Sequence, residues 1–491
     1  MSEQPRFPTT RQMIDELLST LYGGHPVGDS GVTIVGGDPV SPSPHRLADT
    51  SAAAIAAFGH QIAGLDGDRG AAIDHVTVDA SEALDQLRAP FLATINQVLP
   101  HILTDDQSLL GLNDFYQTSD GWVFLLSTYP HLRRAVCEVL GCPPSADAIS
   151  ASARGWTAIA LEEAVVAAGG VAVAARTSEE WAGHPVGRYL APRPVIELER
   201  IGDGPVRPLP AMVHTDELTD RWAPLSGIRV VDNTHVIAGP VAARLLAAFG
   251  SEVIHTSRPD SPDPIGMLAV TGGGKRNAYA DLRTEEGRAS FERLSASADV
   301  VVNSYRNLTQ YGFDPMQLAE RHPGIIAAEL HCWGPDGPWA QRGGFDQLAC
   351  AATGFSFDEG LARGDEAGRP ALPPTHLLND YLAAYLVGTG VVAALRRRAR
   401  EGGSWRVRVN LARVCMWVRA QGTYPVGHVS QIPMPPPTIS SYTVTGPLGT
   451  MTEPVIPLTF SGHRTPTPGA PTLLGTAPAV WQPGSSTAES T

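Results

Sequence analysis

The sequence predicts an α/β protein: a doubly wound parallel sheet in the C-terminal part, preceded by a second, mainly helical α+β domain. Three observations carry this expectation. From "IRVVD" at residue 228 onward, apolar runs alternate with amphipathic stretches, as in "VAARLLAAFG", "SEVIHT", "GRASFERLSASA", "DVVVNS", "PMQLAERH" and "GIIAAEL". That alternation is the pattern of parallel strands joined by helical crossovers. The N-terminal part instead offers helical stretches, "RQMIDELLSTLYG" and "RAPFLATINQVLPHIL", one clear strand in "DGWVFLLST", and "ALEEAVVAAGG" closing on a glycine stop. Between the two, residues 200–227 are rich in Pro, Gly and Asp and read as a linker. The expected division is an N-terminal domain over 1–215, a catalytic domain over 222–465, and a flexible tail over 466–491, whose Pro, Thr, Gly and Ser content is too polar to pack alone.

Length and composition bound the function. A chain of 491 residues exceeds what one core usually organises, and 43% apolar residues supply two. Acidic residues number 50 against 36 basic, a net charge of -14, and no block of Lys or Arg is long enough to follow a phosphate backbone. Nucleic acid is therefore not an expected partner, and an anionic ligand must be held by a local basic cluster. The five cysteines are scattered without a CxxC pair, as expected for thiols in a reducing compartment rather than a zinc site. The N-terminus lacks a charged and apolar leader, and no run approaches the ~18 apolar residues of a membrane span. A cytoplasmic protein is expected.

The stretch "VVDNTHVIAGPVAARLLAAFGSEVIHTSRPD", residues 230–260, reads as strand, loop, helix, strand. Its loop, Thr234 to Pro240, holds one glycine where a dinucleotide fingerprint needs GxGxxG, so nicotinamide or flavin binding is the weaker reading. The bare helix terminus still favours an anion. Arg258 in "SRPD" and Lys275 with Arg276 in "GGGKRN" offer cations near strand ends, although a solvated turn explains the latter pair equally well. Further on, "LLNDYLAAYLVGTGVVAAL" is an apolar helix opening at Asn379 and Asp380, where an Asp serves ordinarily as an N-cap.

These stretches, with "YGFDPMQLAERHPGIIAAELHCWGPDGPWAQRGGFDQLACAATG", occur in the order and spacing of the class III coenzyme A transferases, and this part of the chain resembles that family. "SDGWVFLLSTYPHLRRAVCEVLG" and "RTSEEWAGHPVGRYL" are similar to segments that follow the catalytic part in the family, so its two parts stand here in inverted order.

The resemblance implies a Rossmann-like CoA-binding domain in which His235, Val236 and Ile237 line the pantetheine and phosphate path. It further implies that Arg258 meets the adenosine phosphates, that Lys275 and Arg276 add charge, and that Asn303, Tyr305 and Arg306 give further contacts. Asp380 is the implied nucleophile, with Phe345 and Asp346 at the substrate. The implied activity moves coenzyme A from an acyl-CoA donor to a carboxylic acid through an aspartyl anhydride and an aspartyl-CoA thioester. Coenzyme A is then a substrate rather than a resident cofactor, no metal is required, and an interlocked homodimer is the expected assembly. Racemases of the family carry Gly-His-Asp where this chain has Gly344-Phe345-Asp346. Phenylalanine cannot shuttle a proton, which disfavours an α-methylacyl-CoA racemase or epimerase. A non-catalytic CoA-binding subunit is the other alternative.

Overall fold

The computed structural model describes residues 7–22, 31–70, 73, 75–100, 111–210, 222–260, 263–364 and 368–482. Its centre is a seven-stranded sheet built from β1 (Glu197–Gly202), β2 (Arg229–Asn233), β3 (Glu252–Ser257), β4 (Arg276–Tyr279), β5 (Val300–Asn303), β6 (Ile326–His331) and β7 (Ser404–Asn410). The strand order is β4-β3-β2-β5-β6-β7-β1. Strands β2 to β7 run parallel, and β1 adds antiparallel to β7 at the edge. The inner strands, such as Val300, Val301 and Val302, are buried on both faces, which is why they read as continuous apolar runs rather than alternating ones. The chain leaves β2 toward β3 and β4, then returns to the other side of β2 as β5. This reversal opens a crevice at the carboxyl ends of β2 and β5, where doubly wound sheets bind ligands.

Four helices position the site: α1 (Leu47–Asp68), α2 (Ala238–Ala248), α3 (Asp346–Ala352) and α4 (Asn379–Glu401). Helix α4 is buried along most of its length and packs against α1, α2 and β7 together. Its glycine content is a packing requirement. A Cβ on Gly390 would lie 2.5 Å from Val407 Cγ1, so only glycine lets the helix sit this close to β7.

The two expected parts share material. A single core runs from Met13 to Phe460, and the sheet itself takes β1 from residues expected in the N-terminal domain. Within that part, a smaller core with Leu112, Val123 and Leu161 forms around an antiparallel sheet of Asp114–Gln117, Trp122–Leu126 and Val171–Ala174. This is the α+β element, and it contains the strand read from "DGWVFLLST". The helix expected over "RAPFLATINQVLPHIL" is cut to Ala89–Leu92, because Asn96 and Gln97 take positive φ and the chain turns instead; residues 101–103 of that stretch lie outside the described residues. The expected tail is also corrected. Residues 466–482 pack beside β4 and the helix Glu285–Ala296: Asn277 Nδ2 donates to Thr472 O (2.7 Å), Ala477 N donates to Asn277 O (2.9 Å), and Trp481 Nε1 donates to Leu294 O of that helix (3.1 Å). Backbone partners on an exposed sheet edge hold a segment that has no apolar core of its own. Residues 211–221 of the linker and 483–491 of the tail lie outside the described residues. Among the described residues, no helix is long and apolar enough to cross a membrane.

Helices α1 and α4 are counterparts as well as neighbours. Each opens with the same pattern, "HRLAD" to Asp49 and "HLLND" to Asp380. In each, a distant aspartate accepts the backbone N–H of that residue: Asp38 for Asp49 (2.9 Å) and Asp346 for Asp380 (2.8 Å). The Asp49 carboxylate is then consumed by Arg46 (2.7 Å) and Thr10 (3.1 Å).

Replacing Gly390 by Ala is expected to lower unfolding free energy by about 1–3 kcal/mol through overpacking against Val407; the urea midpoint measures it.

Candidate active site

The first turn of α4 has an unusual cap. Its N-cap residue is Leu378, which has no side-chain acceptor, and Asp380 lies inside the helix. The free N–H groups are served instead by the carboxylate of Asp346 on α3, which accepts from Leu378 N (3.0 Å) and Asp380 N (2.8 Å). Asn379 Nδ2 in turn donates to Asp346 O (3.1 Å). The helix start is thus satisfied from outside, and the Asp380 side chain is released from the capping duty that its position in the sequence suggests.

Two carboxyls now share one buried helix terminus. Burial raises Asp346 to about 6, against the backbone donors that favour its charge. Burial, and then the charge of Asp346, push Asp380 well above the ordinary carboxylate range. The positive end of a 23-residue helix opposes both effects. The protonation of each carboxyl therefore depends on that of the other.

Asp380 sits where two cavities meet. One, of about 400 Å³, contains His235, Arg258, Tyr305 and Arg306 and continues over the switch point into a groove lined by Ser257, Arg283 and Tyr311. The other, of about 640 Å³, is walled by apolar side chains including Phe124, Leu126, Met267 and Leu377. Val236, Ile237, Tyr129, Phe345 and Asp380 line both. A larger groove of about 730 Å³ opens behind Tyr305 toward Arg406 and Arg408 and does not reach Asp380.

The loop between β2 and α2 forms the partition. Val236 has φ of 68°, a conformation that a β-branched residue adopts only under constraint. The constraint is Asp263, whose carboxylate accepts from Val236 N (2.9 Å) and from Tyr129 Oη (2.7 Å), tying the loop to the N-terminal part. His235 N donates to Ser304 Oγ (3.1 Å), and the His235 ring stacks on Tyr305 with centroids 4.5 Å apart. The loop's one glycine, Gly239, lets α2 begin against Thr234, which a Cβ would meet at 2.5 Å.

The structure divides the residues expected at the site. His235, Val236, Ile237, Arg258, Tyr305, Arg306, Phe345 and Asp380 come together around one cavity. Arg258 is half-exposed, with a 3.8 Å contact to Asp260. Asn303 instead shapes the loop: its amide donates to Tyr305 O (2.7 Å) and accepts from Tyr305 N (3.1 Å) and Asn233 Nδ2 (3.0 Å). Asp346, expected at the substrate, is fully buried behind the helix start it caps.

Lys275 and Arg276 are corrected as surface charges. Lys275 is 3% exposed, and its ammonium contacts Asp232 (2.8 Å) and donates to Pro240 O (2.6 Å). Arg276 is half-buried and turned to Glu252 (3.2 Å) and Val480 O (3.0 Å) at the sheet edge. Burial would raise the Asp232 carboxyl, yet Lys275 and His255 together hold it far below the usual range. An ion pair beneath the loop, not a charge above it, is what "GGGK" supplies. The residues the sequence did not signal are Tyr129 and Asp263, which carry no motif and meet only through the fold. The loop "GPDGPWAQRGG", which lines the same cavity through Gly334, Gly343 and Gly344, is pinned by Trp333 Nε1 donating to Gly343 O (3.0 Å).

Fold and site together define an α/β protein with a switch-point crevice that carries arginines and ends at a buried carboxyl pair. The chain belongs to CoA-transferase family III, whose model matches residues 22–201 and again 225–444. This twofold match has its structural counterpart in the paired helices α1 and α4. An acetyl-coenzyme A transferase of Hypoxylon pulicicidum is 37% identical, covering 43% of this chain and 36% of its own length. The alpha subunit of the succinyl-CoA–L-malate CoA-transferase of Chloroflexus aurantiacus is 30% identical over 38% of this chain and 46% of its own. The crystal structure of Rv3272 from Mycobacterium tuberculosis is 30% identical over 41% of this chain and 57% of that one, with a TM-score of 0.38. The matched stretch thus spans about a third to a half of these two curated relatives.

Replacing Lys275 by Met leaves Asp232 buried without its ammonium partner, and is expected to cost about 3–5 kcal/mol of stability; chemical unfolding of the purified variant measures it.

Proposed function

We propose that this chain transfers coenzyme A from an acyl-CoA thioester to a carboxylic acid, with Asp380 as nucleophile. The single observation that carries the reading is the place of Asp380. It is a buried carboxylate at the junction of an arginine-bearing crevice and an apolar cavity, and Asp346 has relieved it of capping. The names of the relatives, an acetyl-coenzyme A transferase and a succinyl-CoA–L-malate CoA-transferase, support the same reaction class.

In this reading coenzyme A lies along the switch point, its phosphates near Arg258 and Arg306 and its pantetheine arm past His235, Val236 and Ile237. Arginine suits this role because its planar, always-charged fork matches phosphate oxygens. The Asp380 carboxylate attacks the thioester carbonyl, the C–S bond breaks, and a mixed anhydride and CoA thiolate result. The thiolate attacks the aspartyl carbonyl of that anhydride and expels the donor as a carboxylate, leaving an aspartyl-CoA thioester. The acceptor carboxylate attacks this thioester to give a second anhydride and thiolate. Attack of the thiolate on the acceptor's acyl carbon then releases the new acyl-CoA and restores Asp380. Burial of Asp380 withholds water from both anhydrides. We place the reaction in the cytoplasm and the working assembly as an interlocked homodimer, with 222–465 as the catalytic part and 1–215 completing its cavity.

A second reading, α-proton exchange on an acyl-CoA, draws on His376, which lines the apolar cavity with Asp380 and is held neutral by burial and Arg363. Deuterium incorporation from heavy water without change of thioester separates the two.

Incubation with acyl-CoA donors and no acceptor should give a covalent CoA adduct by intact mass. Asp380→Ala should lose it, with turnover falling at least ~1,000-fold. A CoA-binding protein that gives no adduct with any donor would be the non-catalytic subunit.

The pH profile supplies a second test. A protonated Asp380 cannot attack, so transfer should rise with pH through an inflection above the ordinary carboxylate value of about 4. Asp346→Asn keeps an acceptor for the helix N–H groups and removes the neighbouring charge, which lowers the Asp380 pKa and should move the inflection to lower pH. An unmoved inflection would mean that Asp346 acts on the helix start alone.

A further inference from the structure

We infer that the apolar cavity beside Asp380 is the acyl pocket and that it selects an uncharged aliphatic acyl group over an acetyl group or a short dicarboxylate. The inference rests on the transferase reading and names its substrate class. The cavity, of about 640 Å³, has the size of a site for a drug-sized ligand. An acetyl group would leave most of it empty. Its wall joins the two parts of the chain, Phe124 and Leu126 from one and Ile237, Met267, Phe345 and Leu377 from the other.

Apart from Asp380, the polar side chains in this wall, Asn113, Thr128, Tyr129, Gln347 and His376, offer no fixed positive charge, and two of them are already bonded within the protein. Tyr129 Oη donates to Asp263 (2.7 Å), and Asn113 Oδ1 accepts from Ser127 N (2.6 Å). His376 is lowered by burial and by Arg363, so it carries no charge at neutral pH. No lysine or arginine stands among the described residues that line the cavity. The distal carboxylate of a succinyl group would enter this space with no cation to meet it and with Asp380 as a like charge, an unfavourable burial. Each methylene of an aliphatic chain, by contrast, gains about fourfold in binding when it leaves water. The two cavities also differ in kind: arginines line the crevice, apolar side chains line the pocket, and the strained loop at Val236 and Ile237 separates them.

The test uses unreactive thioethers of coenzyme A, so that binding is read without chemistry. Titration calorimetry of the full chain with S-ethyl-CoA, S-octyl-CoA and S-(3-carboxypropyl)-CoA should show the octyl ligand at least 30-fold tighter than the ethyl one. The carboxypropyl ligand should bind no tighter than the ethyl one. Equal affinities, or a carboxypropyl ligand that binds tightest, would overturn the inference. Leu372 lines the same cavity and is partly exposed, so Leu372→Arg places a cation there. The ratio of octyl to carboxypropyl affinity, which does not depend on the fraction folded, should fall at least 10-fold. An unchanged ratio would show that the acyl chain lies elsewhere. Neither outcome depends on the covalent adduct, so a chain that binds octyl-CoA thioether tightly yet forms no adduct defeats the mechanism and leaves the pocket standing.

Discussion

The site depends on one hydrogen-bonded carboxylate, that of Asp346. A buried helix start must find acceptors for its first N–H groups, and the usual source is a side chain at the N-cap itself. Here Leu378 occupies the cap and Asp346 reaches across from α3 to accept from Leu378 and Asp380. The consequence is chemical as well as structural. Had Asp380 capped its own helix, its oxygens would be bound to backbone donors and withdrawn from the cavity. Relieved of that task, it faces the cavity with its pKa raised by burial and by Asp346.

Below the crevice a second arrangement governs the charges. Asp232, at the end of β2, holds Lys275 and His255 in the interior, and Lys275 reaches on to the carbonyl of Pro240 in the first turn of α2. This network fixes where α2 begins, and so fixes the loop above it. Asp263 holds that loop from the other side through Val236 and Tyr129. The positive φ of Val236 is strain that these two anchors sustain. What it gains is a thin apolar partition between a charged crevice and an oily pocket.

The pair of helices α1 and α4 shows how one pattern reaches two ends. Asp49 and Asp380 share the sequence approach, the buried helix and the distant capping aspartate. Arg46 and Thr10 close around Asp49, whereas Asp380 opens onto two cavities. A neutralised carboxylate with its oxygens occupied is a structural element. An unoccupied one beside a crevice is open to a ligand, as the proposed mechanism requires.

Much of this was legible in the residues. The alternation from residue 228 defined the parallel strands, because burial on both faces demands continuous apolar runs, and the loop at His235, Val236 and Ile237 was marked as a helix terminus that favours an anion. Arg258 and Asp380 stand at a strand end and a helix start that local pattern locates, Tyr305, Arg306 and Phe345 were legible only through the resemblance to the class III coenzyme A transferases, and the fold brings all five to one cavity. Local pattern could not say which way a charge points. Lys275 and Arg276 are adjacent, yet one is buried against Asp232 and the other lies at the sheet edge, and only the packing of α2 and of residues 466–482 decided that. Nor could it find Tyr129, Asp263 or the apolar pocket, whose walls come from segments more than a hundred residues apart. Periodicity and strand-end position are local properties and can be read along a chain; ion-pair partners, helix caps from elsewhere and cavity walls exist only once distant segments are brought into contact.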